Sequence, residues 1–180
     1  SSDLVWRALD AVYARHFAGS SGARLGIDMF AIDTGYLTNQ VYLWARGKPL
    51  VMAVKGQDGW SRAVLDRPTK QGVTYRGEKL RNAVLLWNVY IWSLKSEFYA
   101  NLRKQPPRPG AEQWPLGYCH FTAGHSERFF KQLTADYLTE RTRKGRTVME
   151  WAQNGENHWH DCRIYAMAAF FRVSKRLGVE

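Results

Sequence analysis

The chain has 180 residues, 45% hydrophobic and 14% aromatic, a composition that excludes an intrinsically disordered segment and supports one substantial domain. Lys and Arg number 26 against 16 Asp and Glu, giving a formal charge of +10 and an isoelectric point near 9.8, which favours a polyanionic partner such as nucleic acid. No apolar run is long enough to span a bilayer, so no membrane partner is expected; two cysteines, Cys119 and Cys162, make no disulfide framework and point to an intracellular protein.

Leu4, Val5, Ala8, Leu9, Val12, Tyr13 and Phe17 share one helical stripe, which predicts a helix over 3–17 with Asp3 or Ser2 as N-cap. After the turn Gly19-Ser20-Ser21-Gly22, residues 24–32 read as a strand ending at Asp33-Thr34-Gly35. Thr38 is expected to cap a short helix to residue 46, closed by Gly47. Residues 50–54 are an apolar run, the pattern of a strand buried on both faces. The connection from Thr34 to Pro49 is long enough for a parallel, right-handed βαβ crossover.

Gly56, Gly59, Pro68, Gly72 and Gly77 predict a loop or hairpin region over 56–82, with Val73-Thr74-Tyr75 as a short strand. Residues 83–89 read as a buried strand running into a helix over 91–103, which Pro106, Pro107 and Pro109 end. An extended segment is expected over 116–121, then a helix from Ser126 and Glu127 to about residue 141. Residues 146–152 read as a strand, and Asn157 as the cap of a last helix to about residue 175. Alternating strands and helices predict an α/β layered domain, a mixed sheet with helices on its faces, single across residues 1–180.

Two acids stand where chemistry is often built. Asp33 closes a strand at its carboxyl end, where open α/β sheets place ligands, although an ordinary Asp-Thr-Gly turn has the same sequence. Asp161 lies just past the first turn of the last helix, near its positive dipole end; a role in helix stability alone fits the same position. Cys162, Tyr165, Ala166, Ala169 and Val173 read as the apolar stripe anchoring that helix. His158, His160 and Cys162 alternate, and residues two apart on a helix point to different sides, so they do not make a zinc site. Phosphate-binding and dinucleotide-binding glycine motifs are absent. Arg141, Arg143, Lys144 and Arg146 form the best candidate cluster for phosphate contacts, expected at a helix end and the following loop, where cations also suit the dipole.

Taken in order, several stretches resemble the lambda-type terminase large-subunit family. They are Trp6-Arg7-Ala8-Leu9-Asp10 with Ala31-Ile32-Asp33-Thr34-Gly35-Tyr36, then Ala53-Val54-Lys55-Gly56, then Leu86-Trp87-Asn88-Val89 with Leu94-Lys95-Ser96. His120-Phe121 with Gln132-Leu133-Thr134-Ala135-Asp136 follows, and finally Trp151 with Asn157 and Asp161-Cys162-Arg163-Ile164-Tyr165-Ala166. The resemblance implies a ribonuclease H-like fold and a nuclease that cuts concatemeric viral DNA with two Mg²⁺ or Mn²⁺ ions about 4 Å apart. On its motifs Asp33 and Asp161 are metal-binding catalytic carboxylates, and Lys55 and His120 lie near the site by analogy. It further implies a terminase small subunit and a portal as partners, and the host cell cytoplasm as the place of action during virus assembly. A non-catalytic DNA-binding or packaging-assembly module is the alternative.

One departure matters. The family carries a further acid on an earlier strand, which this sequence is expected to lack. Asp28 is no substitute: placed on one strand with Asp33 and an odd number of positions away, it would face the other side. The sheet is therefore expected to be incomplete on its N-terminal side, with the chain as given short of activity and its exposed sheet edges open to self-association.

Overall fold

A computed structural model describes residues 2–60, 63–110 and 113–178. The chain divides into two compact units: one contains residues up to Gln57, Leu65–Val89 and the chain from Tyr165 on, the other Asp58–Val64 and Tyr90–Ile164.

In the first unit, helix α1 (Ser2–Tyr13) is followed by two short antiparallel strands, β1 (Phe17–Ala18) and β2 (Arg24–Leu25). Phe17 thus leaves the expected helical stripe, and Asp3 sits inside the first turn rather than at the cap; the side chain of Ser2 lies outside the described residues. Next come β3 (Phe30–Asp33), α2 (Thr38–Ala45) and β4 (Val51–Gln57). β3 and β4 pair in parallel with Asp33 opposite Val54, the βαβ unit that the apolar runs predict. Trp44 on α2 explains how α1 is held. Its ring packs on Trp6, Tyr13 and Phe30, and its indole N–H donates to Asp10 at 3.0 Å. Gly47, at φ 77°, closes α2 in the left-handed region, as a helix-ending glycine does.

β5 (Thr69–Tyr75) and β6 (Glu78–Tyr90) form an antiparallel hairpin, giving one mixed sheet in the order β3-β4-β6-β5. Arg76 and Gly77 both have positive φ, so the loop has the handedness that matches the twist of a two-residue hairpin. Tyr42, Ala53 and Val73 bury together, with Leu43, Leu80, Ala83, Val84 and Leu86 around them. The architecture is mixed α/β, with helices flanking a mixed sheet.

In the second unit, α3 (Ile91–Leu102) starts directly at the end of β6, and α4 (Glu127–Leu133) is capped by Ser126, whose hydroxyl accepts from the Phe129 N–H at 3.2 Å. The helix stops there. Residues 136–141, expected to continue it, instead form β7 (Asp136–Arg143), which pairs along its whole length with β8 (Arg146–Gln153). The physical reason lies in the loop: Lys144 and Gly145 both take positive φ, the second hairpin turn of that kind in the chain. Residues 118–122 take no regular structure, against the extended segment expected there. α5 (His158–Leu177) follows and belongs to this unit up to Ile164 and to the first from Tyr165; its buried positions are His160, Ile164, Ala168 and Ala169. Cys162 and Ala166, expected on the anchoring stripe, are exposed; the buried face is set by His160, Ile164 and Ala168 at helical spacing.

Candidate active site

Asp33 is the last residue of β3, and the loop after it is held tightly. The Thr34 N–H and hydroxyl both donate to the Val54 carbonyl, at 3.0 and 2.9 Å, which finishes the parallel ladder. The hydroxyl of Thr38 donates back to the Thr34 carbonyl at 2.7 Å. Thr38 is therefore a loop clamp rather than the expected helix cap; Leu37, in the left-handed region, occupies the cap position without a side-chain bond. The Asp33 carboxylate is exposed and accepts the Gly35 N–H at 3.2 Å. The turn is close at Gly35, where a Cβ would stand 3.1 Å from Asp33 Oδ2 and press on the carboxylate. Lys55, the residue after the β-partner of Asp33, is exposed at the same end of the parallel pair. Asp28 lies in a bend between β2 and β3, so it does not share a strand with Asp33, contrary to expectation.

Asp161 sits in the first turn of α5, half-buried, its N–H donating to the Asn157 carbonyl at 3.0 Å. The Asn157 side chain is buried and turned inward: its Nδ2 lies 3.0 Å from Asp136 Oδ1 and 3.4 Å from Asp161 Oδ1. Asp136, at the start of β7, is 3% exposed and forms an ion pair with Lys95 of α3, itself 6% exposed. Tyr99, one turn along α3, donates its hydroxyl to the Asp136 carbonyl oxygen. His160 Nδ1 lies 3.3 Å from Asp136 Oδ2, and neither ring nitrogen of this fully buried side chain makes a well-aligned hydrogen bond.

Burial alone would raise the pKa of Asp136; the close approach of His160 and Lys95 outweighs it and holds the carboxyl at about 2. Burial, then the charge of Asp136, pushes the Tyr99 phenol up to about 12, so it stays a donor. The loop before α5 is tethered from α4, because Glu156 accepts from Arg128 and from Gln132, each at 2.9 Å. Sequence reasoning notes Lys95 and Tyr99 only among interleaved basic and aromatic residues and assigns no chemistry to Asp136. The signal that could have found them is their position in, or one turn from, the stretches that carry the family likeness.

Arg141, Arg143, Lys144 and Arg146 occupy the β7–β8 hairpin, exposed, not the helix end expected for them. Arg143 pairs with Arg146 across the ladder and Arg141 lies two positions along, so period-two alternation puts all three on one face, with Lys144 in the turn. Arg143 is bound to Glu150, through Nη2 at 2.9 Å and through Nε. Among the described residues, Arg141, Lys144 and Arg146 have no ion-pair partner.

The model of the terminase large subunit gpA endonuclease domain matches residues 1–177 of this sequence. The chain belongs to that family. No curated protein and no solved structure matches it. Membership of the terminase endonuclease-domain family assigns the chain a nuclease role in DNA packaging, with DNA as substrate. Among the described residues no helix is long and apolar enough to cross a membrane.

For a terminase endonuclease domain the question is which side chains could hold a metal. Among the described residues no three His, Cys, Asp or Glu side chains gather as a ligand set. Asp33 and Asp161 are carboxylates with at least part of their surface open to solvent, the donor type that hard, hydrated Mg²⁺ or Mn²⁺ takes one or two at a time, with water completing the shell. The chemistry of each fits such an ion; Asp33 belongs to the first unit and Asp161 to the second.

Proposed function

We propose that the chain supplies carboxylate ligands for hydrolysis of concatemeric double-stranded viral DNA by a two-metal endonuclease, with Asp33 and Asp161 as catalytic metal ligands. The observation that supports the reading is the family match over residues 1–177; Asp33 and Asp161 stand in the Asp-Thr-Gly and Asn-x-x-x-Asp-Cys stretches of this sequence that carry the resemblance. A bound pair of Mg²⁺ or Mn²⁺ ions would activate water and stabilise the leaving oxygen. The protein's part is to hold each carboxylate in place: the Gly35 N–H and the Thr34–Val54 bonds do so for Asp33, and the first turn of α5 does so for Asp161. The basic hairpin face, with Lys55 beside the Asp33 loop, suits contacts to DNA phosphates.

The same reading takes the fold as ribonuclease H-like. The small subunit and portal are its assembly partners, and the host cell cytoplasm its setting. The runner-up, a non-catalytic DNA-binding or packaging-assembly module, draws on the +10 charge. Supercoiled plasmid incubated in Mn²⁺ separates the two. Nicking by the chain that Asp33→Ala and Asp161→Ala each abolish is the expected result. Nicking that survives both substitutions would sink the site, and salt-sensitive binding with no metal dependence would favour the module.

A further inference from the structure

Three of the stretches that carry the family likeness meet inside the second unit: Lys95 on α3, Asp136 at the start of β7, and Asn157 with Asp161 at the start of α5. Asn157 is the joint between them. An amide nitrogen carries two hydrogens, and here one carboxylate lies 3.0 Å from it and the other 3.4 Å. Asp136 cannot give way, because Lys95 holds Oδ2, Asn157 holds Oδ1, and Tyr99 holds the backbone carbonyl.

We propose that Asn157 is a positioning residue for Asp161, itself fixed by the buried Lys95–Asp136 pair, so that the Asp161 carboxylate is oriented before any ion arrives. The inference rests on the reading of Asp161 as a metal ligand. Helix capping alone does not account for the arrangement: serine caps equally well and requires no buried ion pair behind it. Nor does stability, since apolar side chains of similar volume hold such a place at least as well as a desolvated charge pair. A carboxylate bonded through one oxygen has restricted rotation, and groups that restrict a ligand in this way typically change metal affinity about 10–100-fold when removed.

The test is Mn²⁺ binding, read by the loss of the free-ion electron paramagnetic resonance signal, which needs no cleavage. It uses the chain as it is and four variants: Asp161→Asn, Asn157→Ser, those two combined, and Lys95→Met combined with Asp136→Leu. Asn157→Ser keeps a good cap and removes the bridge, and Lys95→Met with Asp136→Leu removes the ion pair while filling the space. Expected are a weakened site in Asp161→Asn, about tenfold weaker binding in Asn157→Ser, and no further loss when the two are combined. The Lys95→Met, Asp136→Leu double variant is expected to melt like the parent yet bind Mn²⁺ more weakly. If Asn157→Ser binds like the parent while Asp161→Asn is weakened, the positioning role is overturned and the ligand reading stands. The same holds if the Asn157→Ser loss persists in full on the Asp161→Asn background. If Asp161→Asn itself leaves binding unchanged, the ligand reading and this inference fall together.

Discussion

Lys95 and Asp136 are each nearly inaccessible and lie against one another as an ion pair. Lys95→Met, which strands the carboxylate, is expected to lower stability by about 3–5 kcal/mol, and adding Asp136→Leu to restore it to the parent's; urea melts measure both. The Asp136 carboxyl sits at about 2 in the folded protein, below the ordinary value of roughly 3.9. A depressed folded pKa contributes stability above the unfolded value, and that contribution is lost as pH falls from about 4 to about 2. The unfolding midpoint should therefore drop across this window, more steeply in the parent than in Asp136→Asn. At the other acid, Gly35→Ala places a Cβ 3.1 Å from Asp33 Oδ2 and forces the carboxylate to shift. Mn²⁺ affinity is expected to fall about tenfold with little change in melting temperature. The element ends on which Asp33 and Asp161 stand were legible in the sequence, from the strand that stops at Asp33 and the cap before Asp161. Asp136 was not, since its partner Lys95 lies 41 positions away and only tertiary packing brings the two together.

The β7–β8 hairpin is the element that the sequence most misled. A run of charged residues after α4 resembles a continuing helix, but Tyr137, Thr139, Thr142, Thr147 and Val148 favour a pleated backbone and Lys144-Gly145 supplies the turn. The βαβ unit around α2 was legible by contrast, because residues 50–54 are apolar without a break and Gly47 marks the helix end. The corrected hairpin turns a diffuse basic cluster into a defined face. Replacing Arg141, Lys144 and Arg146 together by Ala should weaken binding to DNA of any sequence, leaving the melting temperature unchanged. The slope of log affinity against log salt should flatten by about 0.9 for each phosphate that is no longer neutralised. Arg143 is left out of that set because its bonds to Glu150 also brace the hairpin.

For the molecule as a whole, a charge of +10 predicted a polyanionic partner, and family membership supplies one in DNA. The division into two units was not legible, because both units are assembled from separate stretches of chain and no linker composition marks the change. In the first unit β3 is an end strand of the sheet order. The Phe30 and Thr34 N–H groups bond to the β4 side, so the N–H of Ala31 faces the open side. Sedimentation equilibrium is expected to reveal concentration-dependent association through that edge, suppressed in Ala31→Pro, which removes the outward donor without touching the β3–β4 ladder.

Diffraction from Mn²⁺-soaked crystals reads out directly the assignment of Asp33 and Asp161 as metal ligands of a packaging endonuclease. Anomalous peaks are expected about 2.1 Å from a carboxylate oxygen of Asp33 and of Asp161, lost at each residue when it is replaced by Ala. Peaks that lie elsewhere, or that persist in both variants, would contradict the assignment.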